Sequence, residues 1–107
     1  MSLNENDLKA VFELYAKHGW KPFRILLKSS EKVFGAFSGL DVRKFSLNAA
    51  WFYRASGDEK TAWELRLLEC TPRALVQTLP NKIVESEREA YFDEMQLRLI
   101  EMTAIKH

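Results

Sequence analysis

Few side chains in this sequence are of the kinds that carry out catalysis, and they are far apart along the chain. A general acid–base site needs a group that titrates near neutral pH, and the two histidines are His18 and His107. His18 falls in the last turn of a predicted helix, where the helix dipole favours a cation in any case. Cys70 has no histidine near it and follows an apolar stretch, which is typical of a small buried residue. The sequence therefore predicts no catalytic residues and favours a protein that is not an enzyme.

Motifs for metals and cofactors are not found either. The sequence has no Cys-x-x-Cys pair, no His-x-x-x-His pair and no acidic loop with calcium-binding spacing. Its four glycines are not spaced as a phosphate-binding loop or a dinucleotide fingerprint. We expect no metal and no cofactor.

The feature that can carry a function is a basic and aromatic stretch, residues 17–54, called here the basic segment. It holds eight cations against two anions, a net charge of +6, and eight of the thirteen aromatic residues. Proteins that bind nucleic acids on a sheet combine stacking aromatics with arginine and lysine. Nucleic-acid binding needs these cations on one exposed face; otherwise the aromatics form the core and the cations only confer solubility. The candidate nucleic-acid-binding residues are Lys21, Arg24, Lys28, Lys32, Arg43, Lys44 and Arg54.

A second candidate surface lies on the C-terminal helix, predicted over residues 87–105. One apolar stripe of this helix contains two methionines, which suit adaptable packing. The stripe can pack on the chain's own core, or it can form an interface with a protein partner or a second copy. In a homodimer, the acidic flank of the helix would complement the basic segment of the other copy. The candidate interface residues are Tyr91, Met95, Leu99 and Met102.

Helices are predicted at both ends of the chain. Residues 5–18 place apolar side chains at the i, i+3, i+4, i+7 spacing of one helix face, and Gly19 is suited to end the helix. The C-terminal helix begins with a capping box formed by Ser86 and Glu89. A short helix is predicted over residues 72–79, because a proline stands at its first position and another follows its end.

The middle of the chain predicts strands. Trp63, Leu65 and Leu67 alternate with charged residues, which is the period-2 pattern of a sheet with one wet face. Residues 41–54 also permit a helix, since Asp41 can cap it. The predicted strands are 23–28, 33–37, 47–54 and 61–69.

These elements predict a single α+β domain over residues 1–107. We expect an antiparallel sheet of about four strands in the order α-β-β-β-β-α-α, with the N-terminal and C-terminal helices packed on one face. One cysteine, no signal-peptide pattern and no apolar run near the ~20 residues of a membrane span favour a cytoplasmic protein that is not in a membrane. The expected function is a small non-catalytic interaction module that binds a protein partner or itself. The alternative is nucleic-acid binding through the basic segment.

Overall fold

The computed structural model describes residues 5–28, 39–68 and 73–105. In these ranges one helix precedes a run of five strands and a second helix follows it. The elements are α1 (Glu5–Lys17), β1 (Lys21–Leu27), β2 (Asp41–Lys44), β3 (Ala49–Ala55), β4 (Lys60–Leu67), β5 (Ala74–Pro80) and α2 (Glu85–Ile105). Neither helix has the length and apolar character that a membrane span requires.

The strands form one sheet in the order β2-β1-β3-β4-β5. β1 pairs with β2 in parallel, and every other neighbouring pair is antiparallel. The hairpin between β3 and β4 turns tightly at Gly57 and Glu59, both with positive φ, and the amide of Ser56 donates to the carbonyl of Lys60 at 3.0 Å. β2 and β5 are therefore the two edges of the sheet.

The α+β class predicted from the sequence is confirmed, but the element order needs correction. Residues 41–54 form two strands and no helix, and residues 74–80 form a strand where a helix was predicted over 72–79. Leu75 and Leu79 alternate with exposed residues and pack in the same core as α2. Pairing with β4 stabilises the extended form. The predicted strand over 33–37 lies outside the described residues.

The two helices lie on opposite faces of the sheet, so the prediction that they share one face was wrong. Ile25 and Leu27 pack with Leu8 of α1, whereas Leu26 packs with Phe92 and other residues of α2. Both sides of β1 and of β3 are buried, so a single layer of helix could not cover them. Each face of the central strands needs its own helix.

Aromatic stacking fixes each helix to its face. On the α2 face, Trp51 and Phe92 stack with ring centroids 4.0 Å apart, and the indole of Trp51 donates to Oε1 of Gln96 at 3.0 Å. On the α1 face, Tyr15 stacks on Phe52 at 4.0 Å. Trp51 and Phe52 belong to the basic segment, so both of these aromatics are core residues.

Candidate partner-binding edge and pocket

Arg24 is one of the predicted nucleic-acid-binding residues, yet its side chain is only 4% exposed. It pairs with Trp51 and shares the α2 side of β1 with Leu26, and its Nε donates to Asp41 at 2.8 Å. Its two terminal nitrogens donate to the carboxylate of Glu89 at 3.0 and 3.1 Å. Arg24 thus joins β1 to both β2 and α2.

The electrostatics of this cluster favour the charged forms. Burial would lower the pKa of Arg24, but the hydrogen bonds to Glu89 and Asp41 outweigh it and raise that pKa. Burial likewise would raise the pKa of Glu89, and the hydrogen bonds and charge of Arg24 reverse this and lower it. The three side chains form a structural ion cluster, and at 4% exposure Arg24 presents little surface to a phosphate.

The other predicted cations are distributed around the molecule. Arg43 pairs with the same carboxylates, at 3.0 Å to Asp41 and 3.6 Å to Glu89. Arg54 donates to the carbonyl of His18 at 2.7 Å, and its guanidinium lies 4.5 Å from the ring of Trp20.

The exposed lysines do not form one group. Lys21 begins β1 and Lys28 follows its end, roughly 20 Å away at the usual rise of a strand, and Lys44 pairs opposite Leu27 and so lies at the Lys28 end. Lys32 lies outside the described residues. Nucleic-acid binding by the basic segment stays a prediction, and these positions give it no common exposed face.

The predicted interface stripe on α2 is divided between the core and the surface. Met95 and Leu99 are buried against the sheet beside Phe92, so they contact the chain's own strands. Tyr91 is 43% exposed, and Met102 is half-buried. The side of α2 that faces solvent is acidic, with Glu85, Glu87, Asp93, Glu94 and Glu101 exposed.

A free strand edge is the surface that the sequence prediction missed. β5 pairs with β4 on one side, and in the described parts of the chain no strand pairs with its other side. The ladder bonds include Leu67 N to Arg73 O and Asn81 N to Glu59 O, both 2.8 Å. Because ladder bonding alternates along an antiparallel strand, the odd-numbered residues of β5 bond to β4. The amides and carbonyls of the even-numbered residues therefore face outward.

The outward positions of β5 are occupied by small or uncharged residues. Ala74, Val76 and Thr78 each offer an N–H and a C=O there, and Pro80 offers only a C=O. Their side chains share the α1 face, which follows from the pairing of Val76 with Glu64, and all of them are exposed. Val76 is 58% exposed and is a large apolar residue.

A pocket of about 150 Å³ adjoins this edge on the same face. We call it the α1–β4 pocket, because among the described residues α1 and the turn after it form the walls and β4 contributes one lining residue. Glu64 lies directly opposite Val76 in the pairing of β4 with β5. The lining residues are Leu14, Tyr15, His18, Trp20 and Glu64.

One hydrogen bond organises the polar side of the pocket. The hydroxyl of Tyr15 donates to the carboxylate of Glu64, and a guanidinium nitrogen of Arg66 lies 3.4 Å from the same hydroxyl. Burial, followed by the hydrogen bond to Glu64, raises the pKa of Tyr15 to about 12. The hydroxyl therefore stays protonated at neutral pH and keeps donating to Glu64.

The pocket combines apolar walls with one carboxylate. In the described residues no group of three His, Cys, Asp or Glu side chains is placed to hold a metal ion. Comparison with known proteins finds no family model, no curated protein and no solved structure that matches this chain.

Proposed function

We propose that this chain is a small non-catalytic interaction module that binds an extended segment of a protein partner along the outer edge of β5. The observation that carries the proposal is the edge itself, a strand of seven residues with no charged side chain and with Val76 exposed. Addition of a strand to a free sheet edge is a recurring mode of peptide recognition.

Soluble proteins usually protect such edges against unwanted pairing. Common devices are short length, charged side chains, prolines and bulges. β5 has one of them, Pro80, which stands at the end of the strand and leaves the stretch before it open. An unprotected edge of this length is expected where pairing is part of the function.

The affinity of such a site comes from both backbone and side chains. Each backbone hydrogen bond to an added strand is worth about 0.5–1.5 kcal/mol net. The loss of freedom of the bound segment offsets much of that gain. A partner must therefore add side-chain contacts on one face, and the exposed Val76 offers the apolar contact nearest the edge.

A second copy of the chain is one segment that fits this mode. Two β5 strands can pair antiparallel about Val76, with Ala74 of one copy opposite Thr78 of the other. This register requires no donor from Pro80. Self-association through β5 is thus a special case of the proposed function.

The proposal is tested by recording backbone amide NMR spectra while titrating a short synthetic peptide of alternating threonine and valine. We expect the amide protons of Val76 and Thr78 to shift downfield as their outward N–H groups become bonded. Those of Leu75 and Gln77, which already bond to β4, should move less. A dilution series without peptide reports pairing between copies by the same amides.

The matched variants are Val76→Lys and Val84→Lys, because the two valines are 58% and 56% exposed but only the first is on the edge. Lysine at position 76 should abolish the shifts, and lysine at position 84 should leave them unchanged. Absence of shifts in β5 with both peptide and concentration, or equal shifts in the two variants, would refute the proposal.

A further inference from the structure

This inference rests on the proposed function of β5 and names the chemistry of its partner. We propose that the partner segment carries a lysine or arginine whose side chain passes over Val76 and binds the carboxylate of Glu64 in the α1–β4 pocket.

The pairing of the strands sets the reach that this contact requires. A strand added outside β5 places a residue opposite Val76 on the α1 face, and Val76 is itself opposite Glu64. Neighbouring strands lie about 4.8 Å apart, so the backbones of the added residue and of Glu64 are roughly 10 Å apart. A long basic side chain and the glutamate side chain together span that distance, and a short side chain does not.

Glu64 is a carboxylate without a cationic partner in the described part of the chain. The hydroxyl of Tyr15 is its hydrogen-bond donor there. An ionised carboxylate accepts several hydrogen bonds, so capacity remains for a bound cation. Since Tyr15 keeps its proton, it holds the carboxylate in place and does not neutralise it.

Two arginines lie near the pocket. Arg66 directs its guanidinium to the hydroxyl of Tyr15 and to the carbonyl of Leu67, at 3.4 and 3.3 Å, so it approaches Glu64 through the hydroxyl that they share. Arg54 is held by the carbonyl of His18 and by the ring of Trp20. Among the described residues neither arginine forms an ion pair with Glu64, so the carboxylate can still accept a cation from a partner.

The walls of the pocket fit the stem of a basic side chain. Leu14 is a large exposed apolar residue, and the rings of Tyr15 and Trp20 line the same space. Lysine and arginine bury their methylene stems on apolar surface while the charged end reaches a polar group. A ring near the cation adds a further attraction.

This charge distribution favours a basic partner over a second copy of the chain. On the α1 face, β5 of a second copy presents Ala74, Val76, Thr78 and Pro80, none of which is charged. Pairing of two copies would leave both Glu64 carboxylates without a cation. A segment with a lysine or arginine at the position opposite Val76 complements the site.

The test compares threonine–valine peptides whose central residue is lysine, glutamine or glutamate, with binding measured by fluorescence anisotropy. The lysine peptide should bind the wild-type protein roughly fivefold more tightly than the glutamine peptide, as for a partly exposed ion pair. The glutamate peptide should bind more weakly than the glutamine peptide.

The variants are Glu64→Gln, which keeps the shape and an acceptor for Tyr15, and Glu94→Gln, which removes an exposed carboxylate on the opposite face. Glu64→Gln should abolish the preference for lysine without weakening binding of the glutamine peptide, and Glu94→Gln should retain the preference.

The outcomes separate this inference from the proposed function. If the glutamine peptide shifts the β5 amides but lysine gives no gain, or if Glu64→Gln keeps the gain, the basic-partner inference is wrong and the β5 edge stands. If β5 pairs between copies but the protein shows no preference among the peptides, the basic-partner inference is again wrong and the β5 edge again stands. If no peptide moves the β5 amides and the protein does not self-associate, both proposals fail.

Discussion

The two edges of the sheet, β2 and β5, differ in length, in charge and in what holds them. β2 has four residues, three of them charged, and β5 has seven residues with no charge. Asp41 and Arg43 of β2 belong to the ion cluster around Arg24, which reaches across to α2. In the described residues, β5 is held by its ladder with β4 and by the packing of Leu75 and Leu79 under α2.

In the described residues, one edge carries the usual protection against pairing and the other does not. A short, charged strand repels pairing with another chain, whereas a longer uncharged strand invites it. Because both edges belong to the same sheet, their contrast is a property of these particular residues and not of the fold. Substitutions at the two edges should therefore have effects of different kinds.

The largest effect is expected at the β2 edge, from Arg24→Met. The variant keeps the apolar packing of the side chain but leaves Asp41 and Glu89 without their central cation. Breaking a fully buried ion pair costs about 3–5 kcal/mol, and partial exposure of these carboxylates reduces the expected loss to about 2–3 kcal/mol. Urea unfolding measures the change in the free energy of unfolding.

Arg43→Met is the control, since Arg43 contacts the same two carboxylates from an exposed position. Its expected cost is about 0–1 kcal/mol. Equal losses in the two variants would mean that the ion cluster does not depend on the buried arginine, and the account of the β2 edge would be wrong.

An intermediate effect is expected from Tyr15→Phe, near the β5 edge. Loss of the donor to Glu64 should lower the free energy of unfolding by about 1–2 kcal/mol. The pKa of Tyr15 is raised in the folded protein from 10.0 to about 12. The stabilisation is therefore complete below pH 10 and is lost as the pH rises through about 12. Urea unfolding at neutral and alkaline pH should show the two proteins converge in stability.

Tyr91→Phe serves as the comparison, because this tyrosine is on the exposed side of α2. It should change neither the stability at neutral pH nor its alkaline dependence. If Tyr15→Phe is as stable as the wild type at neutral pH, the hydroxyl of Tyr15 does not stabilise the pocket.

The smallest effect on stability is expected from Val76→Lys, the variant that should abolish pairing at β5. An exposed side chain contributes little to folding, so the free energy of unfolding should change by less than about 0.5 kcal/mol. Thermal and urea unfolding provide the measurement. A loss above 1 kcal/mol would mean that Val76 packs within its own chain, and its lysine variant could then not be interpreted as an edge effect.

Local patterns in the sequence were sufficient to predict the two helices but not β5. The stripe that includes Leu8 and Tyr15 is a signal contained within one element. The predicted capping box was wrong in position, because α2 begins at Glu85, and Ser86 and Glu89 lie inside the helix. The flanking prolines of β5 suit a helix as well as a strand, and the strand forms because β4 is beside it. The placement of the helices on opposite faces could be predicted in part. The unbroken apolar runs Ile25–Leu27 and Ala49–Phe52 indicate strands that are buried on both faces of the sheet.

The candidate site was harder to predict because its residues come from distant parts of the chain. Tyr15 and Glu64 are 49 positions apart, and no periodicity relates them. The prediction that Arg24 binds nucleic acid was uncertain for a similar reason. The carboxylates that bind Arg24 are 17 and 65 positions away in the sequence. Net charge along a sequence does not show which cations are already neutralised in the fold.

The charged β2 edge has a consequence for how many molecules can join. In the terms of polymer chemistry, a sheet with two reactive edges is a bifunctional monomer, and its addition reactions propagate into a fibre. A sheet with one reactive edge is monofunctional: after one addition that edge is paired, and no further molecule can add. If β5 pairs as proposed, the charged strand Asp41–Lys44 would act as the terminator of such growth, and pairing at β5 would give a complex of fixed size.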